Sequence, residues 1–159
     1  MKFDRCFGCM EEIHGYPCPV CGFDPAQAAA PNYVLPYGAI LNGRYIVGKM
    51  LGQGGFGITY IGWDLAMERK VAIKEYPSGQ VSRNPGSRDL TWYTNEQSRQ
   101  ARQNGMQMFL KEARKMSKVD NLTNVVRVRD IFQENETAYI VMDFVEGETL
   151  KARLDKTGP

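Results

Sequence analysis

Cys6, Cys9, Cys18 and Cys21 are the whole cysteine complement of this 159-residue chain. They form two Cys-x-x-Cys pairs with eight residues between them. Two intervening residues let both sulfurs of a pair turn toward one point, and two such pairs supply the closed tetrahedral thiolate set of a structural zinc ion. Gly22, after Cys21, suits a tight turn whose amides face the sulfurs; Met10 holds the matching place in the first pair. Two disulfides or plain buried thiols are the alternatives. Confinement to the first 21 residues is unlike a secreted scaffold, which spreads its bridges through the fold. His14 lies between the pairs, but four sulfurs already complete a shell, so it reads as a solvated loop residue. A segment this short cannot bury a core of its own, so the metal would supply its folding free energy, on the order of 10 kcal/mol.

A second group of residues is suited to phosphate. Gly52-Gln53-Gly54-Gly55-Phe56-Gly57 spaces its glycines as Gly-x-Gly-x-x-Gly, a pattern that lets backbone amides approach phosphate oxygens. Dinucleotide-binding folds use it too, but there the last glycine opens a helix. Here Ile58-Thr59-Tyr60-Ile61 follows, β-branched and aromatic, so the loop joins two strands. Lys74 follows Gly57 by 17 residues and ends Val71-Ala72-Ile73-Lys74, a cation on a strand stiff enough to aim it. Standing alone, such a lysine would read as a solvated residue of an edge strand. Glu112 sits beside Phe109 and Ala113 in the middle of a helical pattern and could hold that ammonium in place. The alternative is a surface acid paired with Lys115 or Lys111, worth a few tenths of a kcal/mol.

The elements that must position these groups follow from periodicity. Residues 44–51, 58–63 and 69–76 read as strands, with 64–68 as an antiparallel turn. The polar stretch 81–95 reads as a loop. Met106, Phe109, Leu110, Ala113, Met116 and Val119 make one apolar stripe, which predicts a helix over 106–119. Strands follow over 125–132 and 138–144 around a polar turn, and 148–156 starts a last helix. Three strands, one helix and two strands make an α+β fold with a five-stranded antiparallel sheet and one main helix, not a doubly wound sheet. The expected divisions are a zinc ribbon at 1–23, a Pro- and Ala-rich linker at 24–37, a nucleotide-binding lobe at 38–147, and the truncated start of a further helix at 148–159.

These motifs, in this order and over residues 40–155, resemble the N-terminal, ATP-binding lobe of bacterial Ser/Thr protein kinases of the eukaryotic-like type. The cysteine segment resembles the short zinc ribbons that begin many bacterial proteins. The kinase resemblance implies a glycine hairpin over the ATP phosphates and Lys74 on the α- and β-phosphates, with Glu112 as its ion-pair partner. It implies Leu51 and Ala72 packed on the adenine, Met142 at the back of the pocket, and Asp143 and Val145 offering backbone groups to the base. Thr59 stands where the family usually has Val. Gly52, Gly54, Gly55, Phe56 and Gly57 would line the phosphate side. Magnesium and a Ser or Thr hydroxyl of a protein substrate belong to the complete enzyme.

The catalytic Asp and the metal-binding loops of that family lie beyond the hinge, so this chain alone is expected to transfer no phosphate. Val128-Arg129-Asp130 imitates the catalytic loop but precedes the hinge, and its apolar alternation is that of a strand. Asp143-Phe144-Val145 imitates Asp-Phe-Gly without the glycine. A second reading is a non-catalytic, partner-binding module with a zinc ribbon and a remnant lobe. The net charge of +2 weighs against nucleic acid as a partner of the ribbon. No apolar run is long enough to span a membrane, and the first residues have no apolar core of an export signal, which together place the chain in the cytoplasm.

Overall fold

A computed structural model describes residues 3–27, 34–54, 57–76, 82–83, 90–91, 96–117, 127–135 and 137–144. Its centre is one antiparallel sheet of β1 (Ile40–Leu41), β2 (Tyr45–Gly54), β3 (Gly57–Asp64), β4 (Arg69–Tyr76), β7 (Val128–Glu134) and β8 (Thr137–Asp143). The strand order is β1-β2-β3-β4-β8-β7. A two-residue hairpin, β5 (Ser82–Arg83) with β6 (Leu90–Thr91), stands apart from it. The five expected strands are all present, and β1 is an additional short edge. The helix expected at 148–156 lies outside the described residues, as do Val125 and Val126.

The one helix among the described residues, α1 (Glu96–Ser117), begins ten residues before the apolar stripe that announced it. Its first two turns are rich in Gln and Arg, which favour helix but leave no stripe to read. Gly105 marks where the helix meets the sheet: a Cβ there would stand 2.1 Å from the Tyr76 hydroxyl oxygen. The Tyr76 ring lies 5.5 Å from that of Phe109. Gly105, Phe109 and Ala113 therefore form the sheet-facing edge of α1, spaced four residues apart as one helical face requires.

Three layers result. On one side of the sheet Tyr45, Val47, Ile58, Tyr60, Val71, Ile73, Tyr139 and Val141 are covered by a strap of Val34, Leu35, Ala39 and Leu41. On the other side Ala72, Ile140 and Met142 meet Phe109 and Ala113 of α1. Beside α1 on that same side, Ile46, Ile61 and Trp63 meet Met10 of the cysteine segment. The stretch expected to be a linker thus has a buried end, since Val34 and Leu35 are core residues. Cysteine segment and lobe also share the backbone hydrogen bond from Lys49 N–H to the Phe7 carbonyl, 2.8 Å.

Candidate nucleotide and metal sites

Lys74 is positioned by strand pairing. Thr59 pairs with Lys74 and Ile61 with Ala72 across β3–β4; Ala72 pairs with Met142 and Lys74 with Ile140 across β4–β8. Cross-strand partners share a face, and Ala72, Ile140 and Met142 face α1. Thr59, Ala72, Lys74 and Met142 therefore stand on one face, with Thr59 and Lys74 in the row nearer the glycine hairpin. That hairpin closes β2 on β3 with Gly52 opposite Thr59 and Gly54 opposite Gly57. Gly57 has φ 128°, and a Cβ on it would lie 2.2 Å from the Glu75 carbonyl oxygen, so the turn requires glycine. Leu51 is partly exposed on the approach to the hairpin. Gly55, Phe56 and Val145 lie outside the described residues.

Burial lowers the pKa of Lys74 below the ordinary lysine value, the direction that desolvation of an ammonium produces. Glu112 is not brought to it. Its carboxylate, 67% exposed, lies 3.5 Å from the Lys115 ammonium on the outer face of α1. The residue that faces the sheet is its neighbour Ala113, fully buried; adjacent helical residues point about 100° apart, so the two cannot both face inward. The expected Lys74–Glu112 ion pair is therefore absent in this arrangement of α1. Asp143 is also engaged, accepting two hydrogen bonds from the Arg129 guanidinium at 2.6 and 3.1 Å.

Asp130 is a structural residue of β7. Its Oδ2 accepts from the Tyr45 hydroxyl at 2.7 Å, and its Oδ1 from the Ile131 amide at 2.9 Å. A carboxylate tied into the β2–β7 packing has no role as a base, in line with its strand-like sequence. Sequence reasoning passed over Glu75, which is fully buried. Tyr60 donates to its Oε1 at 2.8 Å and Tyr139 to its Oε2 at 2.5 Å. The Tyr60 oxygen accepts from Leu35 N–H at 3.1 Å, which fastens the strap to the sheet. The signal was available in Val71, Ile73 and Glu75, whose period of two places the acid on the apolar side. A cavity of about 730 Å³ between α1 and the β7–β8 hairpin, bordered by Gln100, Gln107 and Thr137, holds none of the expected site residues.

At the other site the four sulfurs lie within 4.8 Å of one another. Cys6 and Cys21 are 3.7 Å apart and Cys9 and Cys18 3.8 Å, with no disulfide among them. Zinc–sulfur bonds of about 2.3 Å in a tetrahedron put sulfurs about 3.8 Å apart, so the donor set fits that ion. Gly8 N–H donates to Cys6 Sγ at 3.2 Å and Val20 N–H to Cys18 Sγ at 3.3 Å. Burial, above all, pushes the Cys9 thiol up to about 12. Burial also works upward on Cys18, but the Cys21 and Val20 amides and the neighbouring thiols outweigh it and bring that group down to about 7. His14 is exposed and is not among the clustered donors.

Known proteins give the same picture of the lobe. The profile of the family described as protein kinase domain matches residues 45–159. The chain is 33% identical over 122 residues to serine/threonine-protein kinase PrkC of Bacillus subtilis, covering 77% of this chain and 16% of that protein. It is 35% identical over 117 residues to serine/threonine-protein kinase pkn2 of Myxococcus xanthus, covering 74% and 12% respectively. The solved structure titled PpkA-294 apo form superposes with a TM-score of 0.67 at 31% identity, over 79% of this chain and 43% of that one. The chain thus spans less than a fifth of the length of these two curated relatives.

Proposed function

Since this chain belongs to the protein kinase domain family, we propose that it is the ATP-binding lobe of a cytoplasmic protein Ser/Thr kinase that carries a structural zinc ribbon. The observation that carries the reading is the placement of Lys74 opposite Thr59, one row from the glycine hairpin and on the same face as Ala72 and Met142. Adenine would lie along Leu51, Ala72 and Met142 and take backbone groups of Asp143 and Val145. The phosphates would pass under the hairpin from Gly52 to Gly57 toward the Lys74 ammonium. A half-buried ammonium gains more from a phosphate than a solvated one does, because less water screens the contact. Cys6, Cys9, Cys18 and Cys21 would hold zinc, which supplies folding free energy to the ribbon and no chemistry to the transfer.

In the complete kinase the γ-phosphate would pass to a Ser or Thr hydroxyl of a protein substrate, with magnesium. Glu112 would steady Lys74 there only after α1 turns it inward. The exposed Glu112 is the observation that favours the second reading, a non-catalytic module that docks a partner through the ribbon or lobe. Titration of the chain with a fluorescent ATP analogue and magnesium separates the two. Weak, saturable binding that falls about tenfold in Lys74→Met is expected, since that change removes one charge-assisted contact and keeps the stem. Undiminished binding by Lys74→Met would remove Lys74 from the site. Transfer of label from ATP to a protein acceptor by this chain alone would refute its expected inactivity.

A further inference from the structure

The two cysteine knuckles carry different residues, Met10 and Gly22, at the position that follows the second cysteine. Met10 N–H donates to the Cys6 carbonyl at 2.7 Å, and Gly22 N–H to the Cys18 carbonyl at 2.8 Å. Both residues have positive φ, 62° at Met10 and 79° at Gly22. That region is open to glycine and disfavours any residue with a Cβ. A Cβ at Gly22 would meet nothing within 4 Å, so the second knuckle has the residue its backbone asks for. The first has methionine in the same conformation, and its side chain is 0% exposed. Backbone preference does not explain that choice. The surroundings of the side chain do.

Met10 packs on Ile46, Ile61 and Trp63 of β2 and β3. The lobe is shaped to receive it at Gly48, where a Cβ would lie 2.4 Å from the Phe7 carbonyl oxygen and 2.8 Å from Met10 Cε. Lys49 N–H, next in the chain, donates to that same carbonyl at 2.8 Å. Around this seat the Arg5 guanidinium lies 3.8 Å over the Trp63 ring and Glu11 pairs with the Lys70 ammonium. Ile61, beneath Met10, is the cross-strand partner of Ala72. Phe144, which follows Asp143, packs against the same cluster.

We propose that Met10 is a positioning residue that seats the knuckles at Gly48, making the ribbon a fixed wall of the sheet face that carries Ala72 and Lys74, so that metal loading and the order of β2–β3 are linked. This goes beyond the nucleotide reading and rests on the zinc reading only for the linkage. A knuckle chosen for its own sake would gain from glycine at position 10. A knuckle chosen for its seat loses by it.

Amide hydrogen exchange of the whole chain, with metal content measured on the same samples, tests this. Met10→Gly should keep the parental metal content and raise exchange at Lys49 N–H by roughly tenfold to a hundredfold, the loss expected for one buried apolar side chain. Met10→Leu should restore slow exchange, which a requirement for any particular backbone at position 10 would not allow. Gly48→Ala crowds the seat from the lobe side with the knuckle sequence unchanged and should give the same rise; it decides the matter should Met10→Gly fail to fold. Removing metal from the parent with a chelator should also raise exchange at Lys49. Parental exchange rates in both Met10→Gly and Gly48→Ala, or a Met10→Leu protein as fast as Met10→Gly, would overturn the seat. A parent that keeps Lys49 protected without metal would overturn the linkage. ATP titration of the parent reads the nucleotide question separately, so its failure leaves these exchange results intact.

Discussion

Replacing Tyr139 by Phe removes one oxygen from the buried cluster around Glu75 and leaves the ring in place. The ring is held independently by Phe132, whose centroid is 5.3 Å away at an interplanar angle of 26°, so packing should survive. What is lost is the hydroxyl donor to Glu75 Oε2 and the acceptor of the Asn135 side-chain amide, 3.0 Å away. Asn135 is half-exposed and can turn to water. Glu75 is fully buried and cannot. A hydrogen bond to a buried carboxylate is worth about 2 kcal/mol. Tyr139→Phe should therefore lower stability by about 2 kcal/mol, or the melting temperature by roughly 6 °C for a chain of this size. Chemical denaturation read by circular dichroism gives the number directly. In a Glu75→Gln background the same change should cost only about 1 kcal/mol, because a neutral acceptor bonds more weakly, leaving a coupling of about 1 kcal/mol. A Tyr139→Phe protein within about 0.5 kcal/mol of the parent would refute the reasoning, since a buried carboxylate that loses a donor at no cost is not held by it.

Gly57→Ala should destabilise by about 2 kcal/mol or more, because φ 128° and a Cβ contact of 2.2 Å with the Glu75 carbonyl oxygen leave only a backbone shift as relief; equilibrium unfolding measures it. Metal analysis of the chain dialysed without chelator should give about one zinc per chain, and its affinity should fall toward acid by about tenfold per pH unit for each proton displaced. The sign follows from the thiols: Cys9, pushed up to about 12, holds its proton throughout the neutral range, whereas Cys18, brought down to about 7, takes one up only below that pH. The slope of affinity against pH, read by competition with a chelator, should therefore steepen below about pH 7; a flat profile would exclude thiolate ligation.

What could be read before any coordinates were those features whose physics is local. The β-rich runs Val71–Tyr76 and Ala138–Asp143 announced strands, and Phe109, Leu110 and Ala113 announced the packed half of α1. The paired cysteines announced a cluster that does bring four sulfurs together. What could not be read depends on partners distant in sequence. The first turns of α1 carry no stripe because residues 96–104 are a run of Glu, Gln, Ser, Arg, Ala and Asn with no periodic apolar residue. Val34 and Leu35 look like strays in a Pro- and Ala-rich stretch, yet they close the core over Tyr60. Met10 looks like an imperfect knuckle until Gly48, 38 residues later in the chain, is seen beneath it. Glu112 shows the converse: helical position and neighbours were read correctly, but which way one residue of a helix turns is decided by Ala113 and Tyr76 rather than by the acid.

The neighbours Lys74 and Glu75 show how the fold divides its work. Successive residues of a strand face opposite sides, so β4 sends a cation toward α1 and a carboxylate into the strap. Fixing a lysine side chain costs about 2 kcal/mol of rotamer entropy, and no part of that is recovered unless its Cα is already held. Glu75 holds it, because the tyrosine hydroxyls of β3 and β8 grip its two oxygens and pin β4 in register between them. A strand slipped by one residue would present Glu75 to the α1 face and bury an ammonium among Leu35, Tyr60 and Tyr139, a cost of several kcal/mol for a charge without that carboxylate. The clamp on one face is thus what makes the aim of Lys74 on the other reproducible. It lies wholly within this chain, so the lobe carries its own means of presenting the ammonium, whatever follows residue 159.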